Sequence, residues 1–263
     1  MLKELLIVFI ACLLLCAIGF KNFVWFMSIG YGLAIAGGAI VIAIRYLPQM
    51  SFVTWLICLV FVFYGLRLAI FLYQREAKNT NYQKTISQVV SKKKLPIYAM
   101  IGMWVFVALM YTFQLSPLLD RLYNGSSDTV VPTIGALISL CGALIEAFAD
   151  AQKSRAKAIN PHKVAMTGLY KLTRCPNYWG ELTMWLGVFI GGLSTYKGAL
   201  QWILAILALV EIIIVMFDGA KRLEKRQWDK NKDDPEFLDY IKKTPLILPF
   251  IPLYTLNKKE DMQ

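Results

Sequence analysis

The chain has 263 residues, of which 57% are hydrophobic and only 17% are charged. This balance is too apolar for an ordinary soluble domain, and the apolar residues are clustered in long runs. The net charge of +11 does not indicate nucleic-acid binding, because the cations stand next to the apolar runs, where anionic membrane lipids attract them by about 1 kcal/mol each.

Seven apolar runs follow one another along the chain. A membrane-spanning helix needs about 20 consecutive apolar residues, so each run is a candidate span. The sequence therefore predicts an all-α integral membrane protein, a single domain built as a bundle of about seven transmembrane helices. The runs are 5–20, 23–44, 52–73, 95–115, 131–149, 179–193 and 199–217.

Lys and Arg residues provide an independent check on this count. They concentrate in 74–94, in 150–178 and beyond Asp218, whereas the intervening loops contain few. Cytoplasmic loops collect positive charge, and seven spans put these three regions on one side of the bilayer. We therefore expect the N terminus outside and the C terminus in the cytoplasm.

Polar residues inside the spans are functional candidates, because a charged residue at a helix centre costs about 2.5 to 3.5 kcal/mol. In the third run Tyr64 and Arg67 are three residues apart, on one helical face, and Arg75 follows two turns later. The alternative is an interfacial Tyr beside a snorkelling Arg. In the fifth run Glu146 and Asp150 are four apart, although a solvated helix end would also explain them.

The densest group of polar and aromatic residues precedes the sixth run. Pro176 suits the first turn of a helix, which would put Asn177 and Glu181 on one face at i and i+4. Unpaired backbone N–H groups at such a helix start attract anions. Arg174, Tyr170 and Tyr178 would add charge, hydrogen bonds or a stacking surface. The alternative is an interfacial anchor.

Other chemistry has little support in the sequence. His162 is the only histidine and no cysteine pair has zinc spacing, so we expect no metal. No G-x-G-x-x-G motif follows a strand-like run, which excludes a Rossmann nucleotide site. After the last run, a charged segment that includes Arg222 and Glu224 continues at helical spacing.

These motifs resemble the membrane-embedded steroid 5-alpha-reductase family, more closely its bacterial members, which shares a superfamily with isoprenylcysteine carboxyl methyltransferases. The resemblance covers roughly residues 61–252. It is strongest in Arg174-Cys-Pro-Asn-Tyr-Trp-Gly-Glu181, with Glu146 and Asp150 upstream. Tyr64-Gly-Leu-Arg67 looks like the third-span motif, and Leu223-Glu-Lys-Arg226 looks like the start of the C-terminal signature.

The resemblance implies an NADPH-dependent reductase that acts on a 3-oxo-4-ene steroid or a similar lipid enone, in a bacterial inner membrane. Tyr64 would polarise or protonate the substrate carbonyl. Residues 1–60 would be N-terminal spans on the substrate side, 61–252 the catalytic region and 253–263 a tail. The cofactor-binding residues would be Arg67, Arg75, Glu146, Asp150, Lys157, Tyr170, Arg174, Asn177, Tyr178, Glu181, Arg222 and Glu224.

Two other functions stay open. The first is an S-adenosylmethionine-dependent methyltransferase of a lipid or isoprenylated substrate, although Cys175 stands where many members of the superfamily have histidine. The basic residues favour NADPH, because S-adenosylmethionine is itself cationic. The second is a transporter or lipid-binding scaffold.

The chain also departs from the animal steroid reductases in one respect. Those enzymes pair the Tyr with an intramembrane Glu, and this chain has no acid between Glu4 and Glu76.

Overall fold

The computed structural model describes residues 1–78, 95–161 and 163–257. All regular elements in these ranges are helices. Most of the cationic stretch 74–94, the single histidine and the last six residues lie outside the described part of the chain.

Eight α-helices of eight or more residues are found in the described ranges. Four short 3-10 helices are also present, at Ala17–Phe20, Phe23–Met27, Leu47–Gln49 and Gly168–Lys171. The α-helices are α1 (Leu2–Cys16), α2 (Ile29–Arg45), α3 (Phe52–Lys78), α4 (Ile97–Tyr123), α5 (Val130–Ile159), α6 (Pro176–Gly192), α7 (Ala199–Asn231) and α8 (Pro235–Lys243).

Five of the described segments are long and apolar enough to cross a membrane: Leu2–Phe20, Phe52–Glu76, Ile97–Tyr123, Val130–Ile159 and Ala199–Asn231. Helix α2 is apolar but shorter, and α6 has 17 residues. The described part of the chain is therefore all-helical, as expected from the sequence, with five helices that could span a membrane.

Several helices begin or end at residues other than those expected from the apolar runs, and two cases show the reasons. The run 23–44 does not form one helix, because Asn22 accepts a hydrogen bond from Val24 N and caps a separate 3-10 helix that ends before α2. Ser28 separates the two, with φ −126° and ψ −91°. The run 131–149 is shorter than its helix, because α5 continues ten residues further, to Ile159. Most of these last residues are polar or charged, so hydropathy does not detect them, but they remain helical.

The chain divides into two compact units. The N-terminal unit consists of Met1–Leu137 and Val188–Leu209, and the C-terminal unit consists of Ile138–Gly187 and Val210–Gln263. In the N-terminal unit, α2 packs against α1, α3 and α4. This arrangement buries a row of small residues on α2, including Ala36, Gly38 and Ala39.

In the C-terminal unit, two glycines permit close contact between α5 and α6. A Cβ atom on Gly142 would lie 2.2 Å from Met184 N, and one on Gly180 would lie 2.5 Å from Glu146 N. Such distances to backbone atoms exclude any larger residue without displacement of a helix. Helix α8 begins after Asp234, whose side chain accepts from Glu236 N.

Candidate functional site

Tyr64, the expected catalytic residue, is fully buried in the N-terminal unit. Its hydroxyl donates to the Tyr31 hydroxyl at 3.3 Å. The two rings meet edge to face, with centroids 6.1 Å apart. A neutral phenol in this apolar setting is a hydrogen-bond donor from which bulk water is excluded, so an electrostatic contact made by it is stronger than in water.

The two arginines expected beside Tyr64 are on the same helix but in different environments. Arg67 is half-buried, one turn after Tyr64. Arg75 is exposed, and its guanidinium lies 5.8 Å from the centroid of the Phe71 ring, an i,i+4 cation–π contact. Both residues belong to the N-terminal unit, whereas the other proposed cofactor-binding residues belong to the C-terminal unit.

Three acidic residues of the C-terminal unit are buried near the crossing of α5 and α6. Glu146 is 2% exposed, Asp150 is 5% exposed and Glu181 is 7% exposed. The close approach at Gly180 brings the Glu146 backbone next to the turn that carries Glu181. Burial of Glu146 and Asp150 contradicts the solvated helix end that the sequence also allowed for this pair.

The loop before α6 is fixed to α5 by polar contacts. Gly168 has φ +66°, a conformation that favours glycine, and Gln152 Oε1 accepts from the next backbone, Leu169 N, at 2.9 Å. The Tyr170 hydroxyl donates to Ala149 O at 3.3 Å, and the Tyr240 hydroxyl donates to Tyr170 O at 2.6 Å. Burial, with the Asp150 carboxylate as the second cause, raises the pKa of the Tyr170 hydroxyl.

Tyr170 is therefore placed as a support for this loop. It is only 3% exposed, and it packs with Ala149 and Ala165 in a small apolar cluster. These contacts leave little of the ring surface for stacking on a cofactor, so any contribution of Tyr170 to cofactor binding would be made by positioning the loop.

Arg174 and Glu224 form a buried ion pair in the C-terminal unit. Arg174 Nη2 lies 3.1 Å from Glu224 Oε1, and each side chain is 2% exposed. Arg174 also donates to Tyr254 O, and Glu224 Oε2 accepts from Leu256 N at 3.0 Å and from Asn257 Nδ2 at 2.7 Å. The pair therefore ties the chain after α8 to α7 and to the loop before α6.

Helix α6 begins at Pro176, as the sequence predicted, and Asn177 and Tyr178 are half-buried in its first turn. The Tyr178 ring lies 3.5 Å from the position of a Cβ atom on Gly219 of α7. Arg222 and Arg226, one and two turns further along α7, are close enough to act electrostatically on the Tyr178 hydroxyl. Arg222 is also paired with Asp218 on the exposed face of that helix.

Lys157 does not point its ammonium group at this arrangement. Its Nζ donates to Pro161 O at 3.0 Å and to Lys163 O at 2.7 Å, so that it closes the turn after α5. In this structure its function is to hold that turn.

The structure adds residues that the sequence reasoning missed. Tyr31 is the hydrogen-bond partner of Tyr64, and Tyr111 packs on the Tyr31 ring with centroids 5.1 Å apart. A signal was present in the sequence, because Tyr31-Gly32 and Tyr64-Gly65 are the same dipeptide on two adjacent spans. Asn257, which donates to Glu224, had no comparable signal.

The residues of the C-terminal unit fit a nucleotide cofactor in their donors, acceptors and charge. Buried polar atoms that find no hydrogen-bond partner among the described residues include Asn177 Oδ1, Gln227 Oε1 and Trp228 Nε1. Orphaned buried groups are costly and few in native proteins, so polar atoms without a partner at the start of α6 and on α7 suit a polar ligand. Arg222 and Arg226 supply the cations that phosphate groups require.

Comparisons with known proteins give one positive result. The sequence model of the family described as "Protein of unknown function (DUF1295)" matches residues 19–244. No curated protein and no solved structure matches the chain. The matched stretch is most of the chain, and it includes every site residue proposed from the sequence. The chain therefore belongs to the DUF1295 family.

Proposed function

We propose that this protein is a membrane-embedded, NADPH-dependent reductase of the C=C bond of a 3-oxo-4-ene steroid or a similar lipid enone. The observation that carries the proposal is the fully buried Tyr64 hydroxyl, hydrogen-bonded to a second phenol in an apolar helical unit. In such a reaction negative charge develops on the carbonyl oxygen, and a preorganised hydroxyl stabilises that charge best where water is excluded.

The reaction divides between the cofactor and the chain. When bound, NADPH would supply a hydride, with its electron pair, for the β carbon of the enone. The π electrons then move toward the carbonyl oxygen, which Tyr64 stabilises by donating its hydroxyl proton in a hydrogen bond. A proton from water completes the product at the α carbon. Tyr64 is neutral before and after the reaction.

The C-terminal unit would hold the cofactor. Asn177, Tyr178 and Glu181 would contact it from the first turns of α6. Arg222 and Arg226 would neutralise phosphate charge. Four other proposed residues of this unit support loops in the structure, so we assign positioning roles to Tyr170, Arg174, Glu224 and Lys157.

A methyltransferase is the second candidate, and one observation favours it. The C-terminal unit buries three carboxyl-bearing side chains, those of Glu146, Asp150 and Glu181. Carboxylates would complement the positive sulfonium of S-adenosylmethionine, whereas phosphate groups would be repelled. The arginines on α7 and the buried phenol pair have no evident use in methyl transfer, and for this reason we prefer the reductase.

We also propose a seven-span topology with the N terminus outside and the C terminus in the cytoplasm of a bacterial inner membrane. The shorter helices α2 and α6 would be the two additional spans, and the clustering of cations supports this orientation. Reporter fusions after Met50 and after Gln227 test it. An external reporter at the first site and a cytoplasmic reporter at the second are expected, and the reverse pattern would exclude the orientation.

Cofactor-dependent thermal unfolding distinguishes the two enzyme classes. NADPH and S-adenosylmethionine are added separately to the detergent-purified full chain, and the unfolding midpoint is measured. A ligand at 100 times its Kd stabilises the folded state by about 2.7 kcal/mol. NADPH is expected to raise the midpoint in the wild type and in Asn22→Ala, but to have little effect in Asn177→Ala. A response to S-adenosylmethionine alone would replace the reductase with the methyltransferase.

A further inference from the structure

Two identical dipeptides meet where α2 crosses α3 in the N-terminal unit. A Cβ atom on Gly32 would lie 2.4 Å from Gly65 O, and one on Gly65 would lie 2.3 Å from Gly32 O. The contact is reciprocal and involves backbone on both sides, so neither glycine tolerates a side chain unless the helices separate. The residue that precedes each glycine is a tyrosine, Tyr31 on α2 and Tyr64 on α3.

The glycine contact determines how close the two tyrosines are. Because the helices touch at Gly32 and Gly65, the preceding side chains start from adjacent positions, and their hydroxyl oxygens are 3.3 Å apart. Tyr31 is 8% exposed and Tyr64 is 0% exposed. Two phenols are therefore held together out of water by backbone packing.

A third tyrosine packs beside this pair, and its hydroxyl bonds to the backbone. Tyr111 packs on the Tyr31 ring, and its own hydroxyl donates to Phe26 O at 2.8 Å. The Phe26 side chain is itself fully buried. The Tyr111 hydroxyl is therefore anchored to the backbone, whereas the Tyr31 hydroxyl is directed to Tyr64.

The acidic residues before and after this region in the sequence are Glu4 and Glu76, and each accepts a hydrogen bond from a residue other than Tyr64. Glu4 accepts from Arg45 at 2.8 Å, and Glu76 accepts from the Trp25 indole N–H at 2.7 Å. No acid occurs between Glu4 and Glu76 in the sequence. The Tyr31 phenol is a hydrogen-bond partner of the Tyr64 hydroxyl, and it carries no charge at neutral pH.

We propose that Tyr31 is the positioning residue for Tyr64, and that its hydroxyl donates to the Tyr64 oxygen when Tyr64 turns its proton to a substrate carbonyl. In the structure Tyr64 donates this hydrogen bond to Tyr31, so binding of a carbonyl would exchange the donor and the acceptor. Consecutive hydrogen bonds polarise one another, and Tyr31 therefore makes Tyr64 a stronger donor. This inference rests on the proposed function, because it assigns a partner to the phenol of the reductase.

The test compares two variants that each remove one hydroxyl from the same aromatic cluster. Tyr31→Phe removes the group bonded to Tyr64, and Tyr111→Phe, the matched control, removes the group bonded to Phe26 O. Single-turnover reduction of a 3-oxo-4-ene steroid is measured with saturating NADPH. Tyr31→Phe is expected to lower the rate constant about five- to tenfold, with little change in steroid affinity, as loss of one hydrogen bond in the transition state predicts. Tyr111→Phe is expected to retain the wild-type rate.

An infrared measurement tests the hydrogen bonds to the carbonyl separately from the reductase reaction. The steroid is labelled with carbon-13 at its carbonyl, and the infrared carbonyl stretch is recorded on the bound ligand without NADPH. A strong hydrogen bond lowers that frequency. Tyr64→Phe is expected to abolish the shift, Tyr31→Phe to reduce it and Tyr111→Phe to leave it unchanged.

The outcomes are distinguishable. If the wild type oxidises no NADPH but the carbonyl shift depends on Tyr31, the reductase is refuted and the phenol pair is retained. If the wild type is active and Tyr31→Phe matches Tyr111→Phe in rate and carbonyl frequency, the reductase is retained and the role of Tyr31 is refuted. If the steroid does not bind, both are refuted for 3-oxo-4-ene steroids.

Discussion

Substitution of Glu224 by Gln should destabilise the C-terminal unit strongly. The carboxylate accepts from Arg174 at 3.1 Å, from Leu256 N at 3.0 Å and from Asn257 at 2.7 Å. The Arg174 and Glu224 side chains are each 2% exposed, so the neutral amide would leave a buried guanidinium uncompensated. Removal of one partner from a buried pair costs about 3–5 kcal/mol. We expect a loss of this size in the free energy of unfolding.

The assay is equilibrium unfolding by dodecyl sulfate in mixed micelles, followed by circular dichroism. The control is Glu236→Gln, which breaks the ion pair between Glu236 and Lys163, whose side chains are 62% and 46% exposed. Exposed pairs contribute little, so this variant should unfold like the wild type. If Glu224→Gln and Glu236→Gln lose equal free energy, the buried pair does not hold the chain after α8 in place.

Three further perturbations test other parts of the structure. Gly180→Ala should cost about 1–3 kcal/mol in the same unfolding assay, since its Cβ would lie 2.5 Å from Glu146 N. The control is Gly102→Ala, which has open space around it and should not destabilise the protein. Equal effects of the two substitutions would contradict the tight crossing of α5 and α6. Burial raises the pKa of Asp128, but hydrogen bonds from Ser51, Val53 N and Arg121 outweigh it, so that the pKa lies below its ordinary value. Asp128 therefore stabilises the fold above about pH 4, and the stability difference between wild type and Asp128→Asn should shrink as pH falls below that value; a constant difference would contradict this. Burial raises the pKa of the Cys175 thiol to about 12, so maleimide at pH 8 should label it only after unfolding, as mass spectrometry of its peptide would reveal.

The helices were predictable because the apolar runs are long and uninterrupted. Their ends were less so. Helix α5 continues to Ile159 after hydrophobicity stops, and the 3-10 helix before α2 depends on a cap by Asn22 that hydropathy does not detect. The division into two units follows from packing between distant segments, which no local pattern encodes.

The candidate site was predictable in its residue types but not in its pairings. The start of α6 at Pro176 is where the proline indicated. The contact between Arg174 and Glu224 joins residues 50 positions apart, and this pairing cannot be derived from spacing alone. The charge of both residues suggested a ligand, whereas the structure uses them for each other. Tyr31 was overlooked because a tyrosine in an apolar run is ordinarily a packing residue. The repeated Tyr-Gly dipeptide was a signal in the sequence, but the glycine contact is needed to show that the two tyrosines meet.

Single-turnover oxidation of NADPH tests the central claim most directly. The detergent-purified protein is mixed with NADPH and a 3-oxo-4-ene steroid, absorbance is followed in the near ultraviolet, and the product is weighed by mass spectrometry. The proposal predicts NADPH loss that matches a product two hydrogens heavier, with both abolished in Tyr64→Phe. NADPH that is not consumed by the wild type, or is consumed equally by Tyr64→Phe, would contradict it.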